Sequence, residues 1–258
     1  MLESLIQLLT LHVSLKNWEL ANLKDERVDV RRPLTLEEVL LPPSGFIALT
    51  TNTNLLRAQY PTDQHRNMME MASMPPYANT NGGIALLDEK GVMRDQLSYS
   101  EKMHSQALNT YKGISLERIN PKEPADDPRN WASASALSGF ATPGYVNSQY
   151  NNVMFENEFV VEPEAFSPNG DGQDDMTYIR FEQKYSGRIA SVKIFNIQGM
   201  LVSTLIDQQL IGTHGQIGWD GVDQHARLVP PGHYVLFIEV FDHAGYQVQI
   251  RKKVVVLY

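Results

Sequence analysis

Residues 234–256 read YVLFIEVFDHAGYQVQIRKKVVV, and this stretch decides the fold class. Tyr234, Leu236, Ile238 and Val240 fall on one face, the two-residue period of a half-buried strand. Asp242-His243-Ala244-Gly245 supplies a turn, and Tyr246, Val248, Ile250, Lys252 and Val254 share a face on the way back. Upstream the pattern recurs, with residues 190–197, the turn Gln198-Gly199, and residues 200–206. Successive hairpins without a 3.6-residue period predict an antiparallel sandwich and argue against a βαβ sheet.

Strand signals also run through the first half. Residues 14–20 (SLKNWEL) alternate, and Pro42-Pro43-Ser44-Gly45 turns into an apolar strand over 46–50. Residues 84–87 and 92–99 flank Asp88-Glu89-Lys90-Gly91 as a hairpin. Met68, Met69, Met71 and Met74 are expected to fill gaps beside a short helix. The turn-rich stretch 120–148 contains Trp131, an anchor for an extended segment. The expected architecture is all-β, with two Ig-like β-sandwich domains in tandem. They cover residues 1–149 and 158–258 and are joined by a short polar linker over 150–157.

The 258 residues carry a net charge of −8, with basic runs only at Arg31-Arg32 and Arg251-Lys252-Lys253. Nucleic acid is therefore not an expected partner, because tracking phosphates takes a clustered basic surface. The absence of cysteine excludes disulfides, thiol catalysis and Cys-ligated zinc. No stretch approaches the roughly 20 apolar residues of a transmembrane span. The opening MLESLIQLLTLHV has Glu3 in place of a basic region and no small-x-small cleavage site. It reads as a short helix or strand entering the domain and not as a signal peptide.

Leu15-Lys16-Asn17-Trp18-Glu19-Leu20 resembles the Trp-bearing strand of lamin-tail domains. Further elements of that pattern follow in order: the Pro-rich turn before residues 46–49, Asn81-Gly82-Gly83 leading to Asp88, and residues 92–99. Its closing part is residues 113–119, Asn130-Trp131, Thr142-Pro143-Gly144 and Asn147-Ser148. The resemblance covers about residues 14–149 and implies a sandwich acting as a spacer or presenting module. The family's first strand has no counterpart in residues 1–13, so the chain is expected to be an N-terminally truncated or mis-started fragment of a longer protein.

Residues 166–175, FSPNGDGQDD, look like the opening of C-terminal modules in gliding-motility and type IX-secreted bacterial surface proteins. Trp219-Asp220-Gly221-Val222-Asp223 and Pro231-Gly232-His233-Tyr234 are similar to the Ig-like domain of flagellar hook-capping proteins, with Ala226 in a place that family gives to glycine. The resemblance covers about residues 158–258 and implies a non-catalytic module for secretion or surface attachment.

Asn169, Asp171, Gln173 and Asp175 alternate side-chain oxygens, and Gly170 and Gly172 permit a sharp path between them. Hard oxygen ligands at that spacing suit Ca²⁺, although no EF-hand glutamate follows. The alternative is an Asx-rich turn bonding its own backbone, with Asp174 and Asp175 solvated. His12, His65, His104, His214, His225, His233 and His243 show no ligand spacing. No nucleophile elbow is present. Glu117, Glu123, Asp126 and Asp127 stand in a Pro-broken stretch, where nothing is expected to desolvate a carboxylate. Arg118 is expected to pair with a carboxylate across the sheet.

The chain is thus expected to be a non-enzymatic structural or interaction module, extracellular or on the outer cell surface. Its expected partners are a surface protein or glycan and the secretion machinery, with no required cofactor. A receptor could read the terminal strand 252–258 by strand pairing. The alternatives are a Ca²⁺-dependent carbohydrate- or protein-binding module, and the accessory region of a larger hydrolase or nuclease.

Overall fold

The structure, a computed structural model, describes residues 12–60, 67–151, 158–243 and 245–257. It is an all-β fold, as the alternation predicts, and the chain divides into two compact units, residues 1–150 and 151–258. The expectations for residues 1–11, for the linker over 152–157 and for His65 lie outside the described residues.

The N-terminal unit contains β1 (Val13–Ser14), β2 (Glu19–Lys24), β3 (Arg27–Pro33), β4 (Leu40–Leu41), β5 (Ala48–Thr50), α1 (Thr53–Gln59), β6 (Met68–Glu70), β7 (Asn81–Leu87), β8 (Met93–Ser100), β9 (Leu116–Arg118) and β10 (Trp131–Ser133). One antiparallel sheet has the order β3-β2-β7-β8, and β1-β4, β5-β6 and β9-β10 pair two by two. Trp18, Leu20, Ile84 and Leu86 form its core with Leu34, Leu49 and Met71, against which Met69 and Met74 pack.

The single strand expected over 14–20 is broken in two. Asn17 takes φ +60°, and the Trp18 N–H reaches back to the Leu15 carbonyl. The turn resets the alternation, so Leu15, Trp18 and Leu20 are all buried. An unbroken strand would have put Leu15 and Trp18 on opposite faces. The hairpin β7–β8 closes over Asp88, whose Oδ1 accepts the N–H groups of Lys90 and Val92, both at 2.9 Å. Trp131 is buried and donates Nε1–H to the Ala125 carbonyl at 2.7 Å.

The C-terminal unit contains β11 (Glu158–Glu162), β12 (Ala165–Phe166), β13 (Thr177–Glu182), β14 (Ile189–Asn196), β15 (Leu201–Leu210), β16 (His214–Trp219), β17 (Gly232–Phe241) and β18 (Gln247–Val256). Its sheets have the orders β11-β13-β16 and β12-β18-β17-β14-β15. Tyr234, Leu236, Ile238 and Val240 are the buried face of β17, as their spacing predicts. They share one apolar core with Ile179 and Phe181 of β13, Val192 and Ile194 of β14, and Ile217 and Trp219 of β16.

The end of β18 is not a free edge. It pairs with β17 along its length, and Val255 and Val256 also pair in parallel with Ala165 and Phe166 of β12. The Val255 and Leu257 N–H groups donate to the carbonyls of Glu164 and Phe166. A partner adding a strand at residues 255–257 would have to displace one of these neighbours.

Candidate functional site on the C-terminal unit

The sequence motifs of this unit meet in space. Phe166 and Tyr234 both pack edge-on against Trp219, each with ring centroids 5.4 Å apart. The Trp219 Nε1–H donates to the Val222 carbonyl at 3.0 Å, and the Tyr234 hydroxyl donates to the Pro230 carbonyl at 2.7 Å. Gly221 has φ +75°, and a β-carbon there would stand 2.9 Å from the Pro168 ring. Only glycine lets the turn after Trp219 lie against Pro168 without strain. Residues 166–168, 219–222 and 230–234 therefore form one packed base.

The turn at 169–174 is exposed on this base. The Asp171 N–H donates to Asn169 Oδ1 at 2.9 Å, and the Gln173 N–H donates to Asp171 Oδ1 at 2.8 Å. Asn169 Nδ2 donates to Asp171 Oδ2 at 3.0 Å. The Gln173 and Asn169 donors hold the Asp171 carboxyl below its ordinary value. Asp175 is not merely solvated, because its two oxygens accept the N–H groups of Gly170 at 2.6 Å and Gly172 at 2.8 Å. Gly170 at φ +77° and Gly172 at φ +85° direct those amides inward.

All four carboxylate oxygens of Asp171 and Asp175 thus face N–H donors. Each of these oxygens keeps a second lone pair, but Ca²⁺ takes six to eight oxygen ligands, and the turn is already closed by its own N–H groups. In this arrangement the loop fits a self-bonded Asx turn better than a cation site. Among the described residues no group of three or more His, Asp or Glu side chains is placed to hold a metal.

A second turn, at residues 223–227, follows directly on the packed base. Asp223 Oδ1 accepts the N–H groups of His225 at 2.8 Å and Arg227 at 3.0 Å, and Oδ2 accepts Arg227 Nη2 at 2.8 Å. The Arg227 guanidinium and amide hold the Asp223 carboxyl down to about 2. Asp220 Oδ1 accepts the Val222 N–H at 3.3 Å, so both aspartates bond local amides as expected. Ala226 takes φ +56°, keeping by strain the conformation that glycine takes freely. His225, His233 and His243 are exposed, and no metal group includes them.

In the N-terminal unit the expectation that no carboxylate would be desolvated is overturned for Glu117. Its side chain is fully buried and accepts hydrogen bonds from the hydroxyls of Thr142 at 2.6 Å and Ser148 at 2.7 Å. Burial pushes its carboxyl above the ordinary range, against the pull of those donors. Arg118 pairs with a carboxylate as expected, but with Asp95 of β8 in the four-stranded sheet, at 2.7 Å, and not across its own sheet. Asn147 Nδ2 donates to the Arg118 carbonyl at 3.0 Å, so the closing residues of the lamin-tail-like pattern are bonded to β9.

Residues 160–256 match the CHU_C type IX secretion signal domain family. The matched segment runs from β11 to the end of β18 and contains the whole turn cluster. No curated protein matches the chain. Among solved structures it is similar to CopC from Methylosinus trichosporium OB3b, at 18% identity over 40% of this chain and 100% of that one, with a TM-score of 0.25. It is similar to dimeric latent PorU from Porphyromonas gingivalis at 14% identity over 71% of this chain, with a TM-score of 0.32. Similarity to PorZ, a surface component of the type IX secretion system of that organism, stands at 18% identity over 68% of this chain, with a TM-score of 0.29. The chain spans 13% of the length of PorU and 20% of that of PorZ. Superpositions this loose add nothing to what the chain's own residues support. Among the described residues no helix is long and apolar enough to cross a membrane.

Proposed function

We propose that residues 158–258 direct export and surface attachment of a bacterial cell-surface protein through the type IX route, and that the N-terminal unit is a non-catalytic, lamin-tail-like spacer or presenting module. The observation that carries the first part is the family match over residues 160–256. The geometry supports it as well, since the family-like residues Phe166, Pro168, Trp219, Gly221 and Tyr234 build a rigid base under an exposed turn. A folded surface of this kind suits recognition by a secretion apparatus better than a free terminal strand, because Val255 and Val256 are already paired on both sides. Support for the second part is the bonding of Glu117 and Arg118 to residues 142–149, which makes the lamin-tail-like closing residues a structural knot.

The test is a reporter protein carrying residues 158–258 at its C-terminus in a bacterium with a working type IX system. Surface display that depends on the appended residues is the expected result. A reporter that keeps the unit folded and still stays in the periplasm would sink the proposal. Deleting residues 252–258 is a poor probe, because it removes the core residues Val254 and Val256 along with the terminus.

A further inference from the structure

The N-terminal unit contains a cavity that the proposed export role does not use. Its volume is about 740 Å³, within the several-hundred-Å³ range of small-molecule sites and far above the water-sized voids of packed interiors. Leu20, Ile84, Leu86 and Leu97 line it from β2, β7 and β8, and Ile114, Leu116 and Trp131 contribute from β9, β10 and the loop before β9. The lining is therefore mainly apolar and aromatic.

The charged groups around the cavity have limited freedom to hold a charged ligand. Arg118 donates Nη1–H to Asp95 at 2.7 Å and Nη2–H to the Glu123 carbonyl at 2.6 Å. His104 stacks on Tyr111 with centroids 5.0 Å apart, and its Nδ1 lies 2.9 Å from Ser133 Oγ. Glu101 and Lys112, which also line the cavity, are exposed to water.

Beside Tyr111, three more tyrosines line the cavity. Tyr60 donates to the Gly113 carbonyl at 2.8 Å, Tyr99 to the Ala78 carbonyl at 2.6 Å, and Tyr77 to the Ala21 carbonyl at 3.4 Å. With their protons engaged in these bonds, the hydroxyls of Tyr77 and Tyr99 can only accept from a further partner, and that of Tyr60 already accepts from Gln59 Nε2 at 3.0 Å. Burial raises the Tyr77 and Tyr99 phenols above their ordinary value, so both stay neutral at physiological pH.

We propose that this cavity binds a neutral, largely apolar small molecule carrying a hydroxyl group, its body against the leucine and isoleucine lining and its O–H donated to a tyrosine oxygen. An anionic head inside the apolar part of the cavity would lose its hydration, and Arg118, the guanidinium there, is already paired with Asp95.

The experiment follows the fluorescence of N-phenylnaphthylamine, a neutral apolar probe, on the full chain, with dodecanol and dodecanoate as competitors. Saturable uptake is expected, with dodecanol displacing the probe at about tenfold lower concentration than dodecanoate at neutral pH. Leu97→Trp fills the cavity and abolishes uptake while the melting transition remains. Tyr99→Phe keeps probe binding and weakens dodecanol about fivefold, the effect of one lost hydrogen bond. The proposal is overturned by absence of saturable uptake, by uptake that survives in folded Leu97→Trp, or by dodecanoate competing as well as dodecanol. If Leu97→Trp does not fold, the Tyr99→Phe and dodecanoate comparisons still decide. Export of the reporter fused to residues 158–258 is independent of all these outcomes.

Discussion

Ser148 donates its hydroxyl to Glu117 Oε2 at 2.7 Å, across a separation of 31 residues. The Gln149 N–H joins the same oxygen at 3.0 Å, and Thr142 takes the other oxygen at 2.6 Å. Three donors thus converge on a carboxyl group buried deep in the unit. The arrangement fastens the last loop of the N-terminal unit to β9.

Replacing Glu117 leaves these donors facing an apolar gap, so Glu117→Ala should cost about 3 kcal/mol or more. The pH dependence has a definite sign. Burial raises the folded-state value of Glu117 above its unfolded one. Its contribution is therefore complete below the unfolded carboxyl range and is lost as pH rises through the raised folded value. Glu117→Gln removes that titration. The stability of wild type relative to Glu117→Gln should be greatest in acid and decline toward neutrality, as read by denaturant midpoints across that range. A difference independent of pH would refute the assignment.

Asp175 holds the exposed turn through the amides of Gly170 and Gly172. Asp175→Ala should loosen residues 169–174, with faster amide exchange at both glycines and little change elsewhere. The same protein separates the two interpretations of the loop. Calorimetry with Ca²⁺ on wild type should give no heat, since the turn is closed by its own N–H groups without a cation; heat that vanishes in Asp171→Ala would instead establish a cation site.

The strands that could be located in the sequence are the long ones. β17 offers ten residues of alternation, and its buried face was legible residue by residue. β12 has two residues and β9 has three, too few to show a period. That is why the end of β18 looked unpaired and why the inward side of Glu117 was invisible. The donors that make Glu117 tolerable lie 25 to 32 residues downstream, and no local spacing encodes them. Conversely, the motifs of the candidate site were all visible as motifs, but their convergence on Trp219 is a property of the folded chain.

Ala226 offers a stabilising change. It sits at φ +56°, where a β-carbon crowds the backbone. The hydrogen bonds of Asp223 to the amides of His225 and Arg227 keep the turn in that form. Ala226→Gly should keep those bonds and raise stability by roughly 0.5 kcal/mol, the strain relieved exceeding the entropy that glycine adds to the unfolded chain. A lower melting temperature for the glycine variant would mean that the turn tolerates alanine without strain.

Trp219 is the residue on which the proposed signal surface depends. It is almost wholly buried, bonded to the Val222 carbonyl, and flanked by Phe166 and Tyr234. Trp219→Ala removes both ring contacts and leaves a large cavity, for an expected cost of about 4 kcal/mol. Trp219→Phe keeps a ring and loses the Nε1–H bond, for about 2 kcal/mol. If export reads the folded cluster, reporter display should fall in step with the folded fraction across wild type, Phe and Ala. If the apparatus reads an extended terminal segment, display should persist in Trp219→Ala, because that substitution leaves residues 252–258 unchanged. Comparing display with thermal unfolding of the purified variants separates the two.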